Sequence, residues 1–285
     1  MRQLSDTFKN TLQHGFLRGL TTTVQQDKDL DLHIRDNYIN VYYKGNALLK
    51  LTEKQKTRYQ VEIHAKFLEK SPIPDLIDED TTQHFLTQIP RLKAAISQHG
   101  KSSLEIEYEQ LIIRANNREP RNTVEYFIVD RQYAINDARF DLTGIFWSRT
   151  HRKIGQQVNP CLMEVKFALN TDIKEIHLQI QQYYHYIKHK SMHISKEIET
   201  LFHQKLDLGL YEQGDERLKM MRTLTVSPNI DDFYFLIILV DYNPYSKLLP
   251  IEELKRLSFS NQIRIQYSGF AMWERNIQAF EPYSP

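Results

Sequence analysis

The chain carries a single cysteine, Cys161. That excludes an internal disulfide and any thiolate zinc cluster, and its apolar neighbours make Cys161 a buried structural thiol with no redox role indicated. Long hydrophobic runs are missing as well. The longest, Phe233 to Val240, has the length of a strand and falls far short of the roughly 20 apolar residues of a membrane helix. The opening stretch from Met1 to Leu20 is polar and interrupted by charge, unlike a secretory signal or a transit peptide. We therefore expect a cytoplasmic protein without a membrane partner. An excess of one charge is also lacking, since 37 basic and 36 acidic side chains leave a net charge of +1. Such a chain has no overall field to draw in nucleic acid, so any basic surface must be local. Internal repeats and low-complexity tracts are absent.

What is present is ample material for a core, 41% hydrophobic and 11% aromatic residues, in a chain long enough for one large domain or two modest ones. Leu4, Phe8, Leu12 and Phe16 recur at helical spacing between Met1 and Leu20. Leu30 to Arg35, Tyr38 to Tyr43 and Ala47 to Leu51 read as strands, the last two joined by Lys44-Gly45-Asn46 as a hairpin loop, with Tyr59 to Phe67 as another. Breakers at Ser71-Pro72-Ile73-Pro74-Asp75 precede a helix from Thr82 to Gln98, which His99-Gly100 ends. A different pattern begins there, and we divide the chain into an N-terminal α+β module, residues 1–98, and a second domain, residues 99–285. The second domain opens with a serine-capped helix from Ser102 to Ala115. Strands from Thr123 to Val129, Ala138 to Trp147 and Cys161 to Phe167 follow. A long helix from Ile173 to Lys190, another from Ser195 to Leu206, and strands at Phe233 to Val240 and Ile263 to Tyr267 complete it.

The strand Cys161-Leu162-Met163-Glu164-Val165-Lys166-Phe167 is apolar yet holds an acid and an amine two residues apart. Side chains at that spacing share a strand face, so Glu164 and Lys166 point together while Met163, Val165 and Phe167 fill the other side. Charges at the edge of a core are costly unless paired or bound to metal. An acid beside an amine is what metal-assisted hydrolysis of a phosphodiester needs. Asp141, in Ala138-Arg139-Phe140-Asp141-Leu142-Thr143-Gly144, lies inside the preceding strand, and the 22 residues from 142 to 163 suffice to return the chain as an adjacent antiparallel strand. The two carboxylates would then offer hard oxygen ligands for Mg²⁺ or Mn²⁺. Lys166 beside them could orient or deprotonate the attacking water or steady the phosphate.

In these residues the chain resembles the PD-(D/E)XK nuclease superfamily, the restriction-endonuclease-like fold, whose core is helix, three strands, helix, strand. Asp141 matches the first acid and Glu164-Val165-Lys166 the E-x-K tripeptide, with Phe140 where the family name has proline. Gln179-Ile180-Gln181-Gln182-Tyr183 looks like the Q-x-x-x-Y signature of the RecB-like branch, and its Gln and Tyr share a helix face. The resemblance implies an α/β nuclease core, with Asp141, Glu164 and the carbonyl of Val165 holding the metal and Lys166 acting on water or phosphate. It also implies an acid on the first helix that holds a metal or its water, for which Tyr108-Glu109 makes Glu109 the choice and Glu105 the second. Gln179 and Tyr183 would support the site.

Other patterns compete. Asp172-Ile173-Lys174 also reads D-x-K, and His185, His189 and His193 recur every fourth residue as a zinc-like stripe, though no H-E-x-x-H accompanies them. Arg149, His151, Arg152 and Lys153 fill the loop between the two acid-bearing strands, where a DNA backbone could pass, and Arg114, Arg118 and Arg121 are similar candidates. Tyr38, Tyr42 and Tyr43 could stack on bases or pack in a core. The resulting expectation is an Mg²⁺-dependent nuclease acting on nucleic acid, DNA before RNA. Its alternative is a non-catalytic nucleic-acid or protein-binding module that keeps the fold without the reaction.

Overall fold

A computed structural model of the chain describes residues 2–55, 57–68, 73–100, 104–119, 123–135, 138–150, 152 and 155–276. Of the residues used above, Met1, Ser71, Pro72, Ser102, Arg121, His151 and Lys153 lie outside the described residues. The amphipathic start forms two helices, α1 (Asp6–Gln13) and α2 (Arg18–Gln26). Ser5 caps the first, its Oγ accepting the Phe8 N–H at 3.0 Å, and Phe8, Leu12 and Leu20 are fully buried.

Five strands follow and pair antiparallel in chain order: β1 (Leu30–Ile34), β2 (Tyr38–Tyr43), β3 (Asn46–Gln55), β4 (Arg58–Glu62) and β5 (Leu76–Ile77). Lys44 (φ 47°) and Gly45 (φ 73°) both occupy the left-handed region, the geometry by which a two-residue turn matches strand twist. The hairpin loop is therefore these two residues, and Asn46 already belongs to β3. The single helix expected next is split into α3 (Glu79–Leu86) and α4 (Ile89–His99). Pro90 sits in the first turn of α4, where its missing N–H costs nothing but would have broken a continuous helix.

The remaining chain runs α5 (Leu104–Asn117), β6 (Tyr126–Ile135), β7 (Ala138–Phe146), β8 (Gln157–Phe167), α6 (Ile176–Lys188), α7 (Ser191–Asp207), α8 (Asp215–Met221), β9 (Thr225–Val226), β10 (Tyr234–Val240), α9 (Ile251–Lys255) and β11 (Ile263–Ser268). The second sheet has the order β11-β10-β8-β7-β6, with β9 pairing β8. Its pairs are parallel from β11 to β8 and antiparallel from β8 to β6. Among the described residues the chain is thus a mixed α/β protein with two sheets and nine α-helices.

Both faces of the second sheet are covered, which is why β10 reads as an unbroken apolar run. Met163, Val165, Leu236, Ile238 and Val240 pack with Ile113 of α5. Phe140, Leu162, Ile237 and Leu239 join the larger core with Ile180 of α6 and Phe202 of α7. That core continues into the first sheet through Leu32, Ile39 and Leu51. The N-terminus also reaches across, since Leu4 exchanges two backbone hydrogen bonds with the Gln204 side chain of α7 at 2.9 and 3.0 Å. The histidine stripe does not form: α6 ends at Lys188 and α7 starts at Ser191, so His185 and His193 sit on different helices.

Candidate active site

Asp141 and Glu164 come from neighbouring antiparallel strands that part company at this point. The β7–β8 ladder runs from Phe146 opposite Asn159 to Leu142 opposite Met163 and ends there. Just past its last pair, Asp141 Oδ2 accepts the Val165 N–H at 2.9 Å, so a side chain satisfies a backbone donor that the ladder no longer serves. Glu164 is 3% and Lys166 8% exposed, and the ammonium donates to Glu164 Oε1 at 2.8 Å. From α6, Gln179 Nε2 donates to the same oxygen at 2.6 Å and lies 2.5 Å from the Tyr183 hydroxyl. That hydroxyl is 2.7 Å from the Arg139 carbonyl and 3.1 Å from Glu164 Oε2, with one proton to share between them. Its ring rests on Phe140, centroids 4.3 Å apart. Asp141, Glu164, Lys166, Gln179 and Tyr183, taken from two strands and a helix, therefore meet in one place.

The charges are unequal. Burial and then the neighbouring Glu164 carboxylate push Asp141 up to about 8, against the Val165 N–H and Lys166, which pull it down. Burial works to lower the Lys166 ammonium, but Glu164 and Asp141 outweigh it and hold the amine above its ordinary value. Burial, followed by Glu164, likewise raises the Tyr183 phenol. A proton held by Asp141 up to about pH 8 offsets the second carboxylate beside the one ammonium, and a cation could take its place. Mg²⁺ commonly binds through one or two carboxylates and keeps several waters, so Asp141, Glu164 and the Val165 carbonyl make a fitting donor set. Among the described residues no three His, Cys, Asp or Glu side chains gather as a metal cage.

Glu109 stands behind this group. It is buried on α5, where Oε2 takes Arg131 at 2.9 Å and Oε1 takes Gln132 Nε2 at 2.8 Å. Burial raises its carboxyl against the pull of Arg131. Arg131 was not among the expected residues; its guanidinium lies over the Tyr42 ring at 4.7 Å. The signal available was the charged pair Asp130-Arg131 inside an otherwise apolar strand. Tyr42 therefore braces a buried arginine, and Tyr43 is buried in the core.

The basic loop lies at the far end of the two strands from the acids. An antiparallel hairpin places its connection at the end of β7 opposite Asp141, roughly 20 Å away along the strand from Asp141 to Trp147. Arg149 is exposed there. Arg152 is committed to structure, donating to the Val124 carbonyl at 2.8 Å with its guanidinium 4.8 Å from the Trp147 ring centroid. Lys153 lies outside the described residues. Arg114 and Arg118 are also occupied, by Asp29 at 3.0 Å and by the Val24 carbonyl at 2.9 Å. Asp172 and Lys174, the rival D-x-K, fall in a 3-10 turn (Thr171–Glu175) instead of a strand.

No protein-family model matches the chain, and no curated protein or solved structure matches it either.

Proposed function

We propose that the protein is a metal-dependent nuclease with a restriction-endonuclease-like core, hydrolysing phosphodiester bonds in DNA before RNA. The observation that carries this reading is the meeting of Asp141, Glu164 and Lys166 where β7 and β8 diverge, with Gln179 and Tyr183 on Glu164. In it, Mg²⁺ or Mn²⁺ held by Asp141, Glu164 and the Val165 carbonyl would supply positive charge at the scissile phosphate. Lys166, kept charged by its neighbours, steadies the phosphate. Gln179 and Tyr183 hold the Glu164 carboxylate in one orientation. Glu109, paired with Arg131, shapes the charge around Asp141.

One observation favours a second reading, a non-catalytic nucleic-acid or protein-binding module: both Glu164 oxygens already accept hydrogen bonds. Cleavage of linear, circular and single-stranded DNA and of RNA, with Mg²⁺ and with Mn²⁺, separates the two. Asp141→Ala and Glu164→Ala should each abolish cleavage. Lys166→Ala should slow it on the order of 10²- to 10³-fold with little loss of affinity. Metal-dependent cleavage surviving in Asp141→Ala or Glu164→Ala overturns the assignment, and binding without cleavage by the native chain favours the second reading.

A further inference from the structure

We infer that Tyr108 and Phe270 form a stacking platform for an unpaired base of single-stranded DNA whose backbone reaches Asp141, Glu164 and Lys166. The inference rests on the nuclease reading and adds the form of its substrate. The C-terminal ends of β8, β10 and β11 lie side by side, with Lys166 opposite Leu239, Phe167 opposite Val240 and Val240 opposite Ser268. At about 4.8 Å between strands, Ser268 stands roughly 10 Å from Phe167. Tyr108 of α5 spans that gap, its ring centroid 5.3 Å from Phe167 and 6.2 Å from Phe270. A row of aromatic rings therefore runs from Phe167 out to Phe270 on the face of β8 opposite Lys166, so a strand joining the two must pass around the C-terminal edge of the sheet.

Phe270 is held in place by a built turn. Asp241 Oδ1 accepts the N–H groups of Phe270 and Ala271 at 2.5 and 2.7 Å, and Oδ2 accepts the Tyr108 hydroxyl at 2.8 Å. Gly269 (φ 116°) is required beside it, because a Cβ there would come within 2.2 Å of Asp241 Oδ1. One carboxylate thus fixes the Tyr108 hydroxyl and the backbone that carries Phe270. Even so, Phe270 is 79% exposed, an apolar ring on an ordered turn left in water at the expense of hydrophobic burial.

The occupant follows from what surrounds it. The basic loop carrying Arg149 and Arg152 lies at the far end of β7 and β8, so a duplex centred on the site would not gain those contacts. A duplex also hides its base faces within the stack, whereas an unpaired base offers its face to an aromatic ring. A single strand can place a phosphate by Lys166 and a neighbouring base on Phe270.

Two measurements on the full chain test this separately from the nuclease reading. Anisotropy with a labelled single strand, a blunt duplex and an abasic strand of equal charge reads the platform; cleavage in Mg²⁺ and Mn²⁺ reads the reaction. Phe270→Ala should weaken single-strand binding about tenfold or more, the scale of base–aromatic stacking. Affinity for the duplex and the abasic strand should not change, and Phe270→Trp should keep single-strand binding. Phe270 is exposed, and an unchanged melting temperature will establish that its variants fold. Undiminished single-strand binding by Phe270→Ala, an equal loss on duplex, or a native chain indifferent to the missing bases overturns the platform. A native chain that binds the single strand in this way yet cuts nothing overturns only the nuclease reading.

Discussion

Two clusters of buried charge occupy this molecule, built from the same kinds of side chain and balanced in opposite ways. At the junction of the two sheets, Asp130 of β6 receives Arg2 at 2.6 Å, the Arg131 N–H at 2.8 Å and the Arg35 guanidinium, and lies 3.1 Å from His33 Nδ1. Asp31 lies 2.5 Å from His33 Nε2, and the Arg2 N–H donates to Glu197 at 2.9 Å. Asp130 and Glu197 each meet Arg2, and Asp31 meets His33, whose imidazole burial lowers to about 3. In the candidate site, Asp141 and Glu164 share Lys166. Burial pushes both Asp31 and Asp141 upward, yet His33, with Lys205 and Arg131, reverses the effect and holds Asp31 well below the usual carboxylate range, while Glu164 adds to it at Asp141. Burial alone therefore does not mark a functional acid; uncompensated negative charge does. The matched cluster joins the two sheets, and the unmatched one has room in its charge balance for a cation.

The sharpest way to break this comparison is to remove one acid from each cluster. Asp130→Ala should destabilise the fold by about 3–5 kcal/mol, because it strands buried cations that have no water to turn to. Asp141→Asn should do the reverse, raising stability by about 1 kcal/mol by removing a carboxyl that burial and Glu164 disfavour, and on the nuclease reading it should end cleavage. Urea unfolding midpoints decide both. Equal losses in the two variants would mean that the candidate site is only another structural ion cluster.

A smaller effect separates the clusters by pH. The Asp141 carboxyl sits near 8 in the folded chain against 3.8 ordinarily, so between those values the folded state holds a proton that the unfolded state has lost. Its contribution to stability is full below the lower value, declines as pH rises through the window and levels off above about 8. Lys205, 1% exposed and donating to the Val129 carbonyl at 3.2 Å, behaves oppositely. Burial lowers it from 10.5 to about 8, against the attraction of Asp31. The folded state there has given up a proton that the unfolded state keeps, so stability rises across that window. Unfolding at about pH 5, 8 and 10.5 should show a fall that Asp141→Asn removes and a rise that Lys205→Met removes. If Asp141→Asn leaves the first slope unchanged, the two acids of the site do not repel each other as described.

The site was more legible than its surroundings, for reasons of geometry. The i, i+2 spacing of Glu164 and Lys166 and the i, i+4 spacing of Gln179 and Tyr183 each fix a shared face from local structure alone. The pairing of β7 with β8 then needed only a loop of sufficient length. Glu109 was legible as an acid on a helix but not as the partner of Arg131, because that pairing depends on how α5 lies over β6. Asp31 and His33 share a strand face two residues apart, but their link to Asp130 was invisible for the same reason, since Asp130 lies 97 positions from His33 and 95 from Arg35. Short elements without a clear period, such as α8, β9 and α9, escaped as well. The distance of the basic loop from the acids was also legible, since two acids at one end of an antiparallel pair put the connection between those strands at the other.

The smallest expected effect concerns that loop. Arg152 donates to the Val124 carbonyl at 2.8 Å and lies 3.4 Å from the Trp147 carbonyl, with its guanidinium against the Trp147 ring. Arg152→Ala should therefore cost about 1 kcal/mol of stability, because it removes these hydrogen bonds and the cation–π interaction. Arg149→Ala, at an exposed position, should change stability by less than about 0.5 kcal/mol. Neither should alter DNA binding. A side chain that neutralises one phosphate of a duplex steepens the log–log salt dependence by roughly 0.9, so slopes for both variants should match the native chain to within a fraction of that value. A slope shallower by about 0.9 for Arg149→Ala would mean that bound DNA extends along β7 and β8 to the far end of the sheet. The two ends would then belong to one binding surface, and the single-strand platform at Phe270 would have to be reconciled with a duplex held some 20 Å away, a distance of roughly six residues of strand.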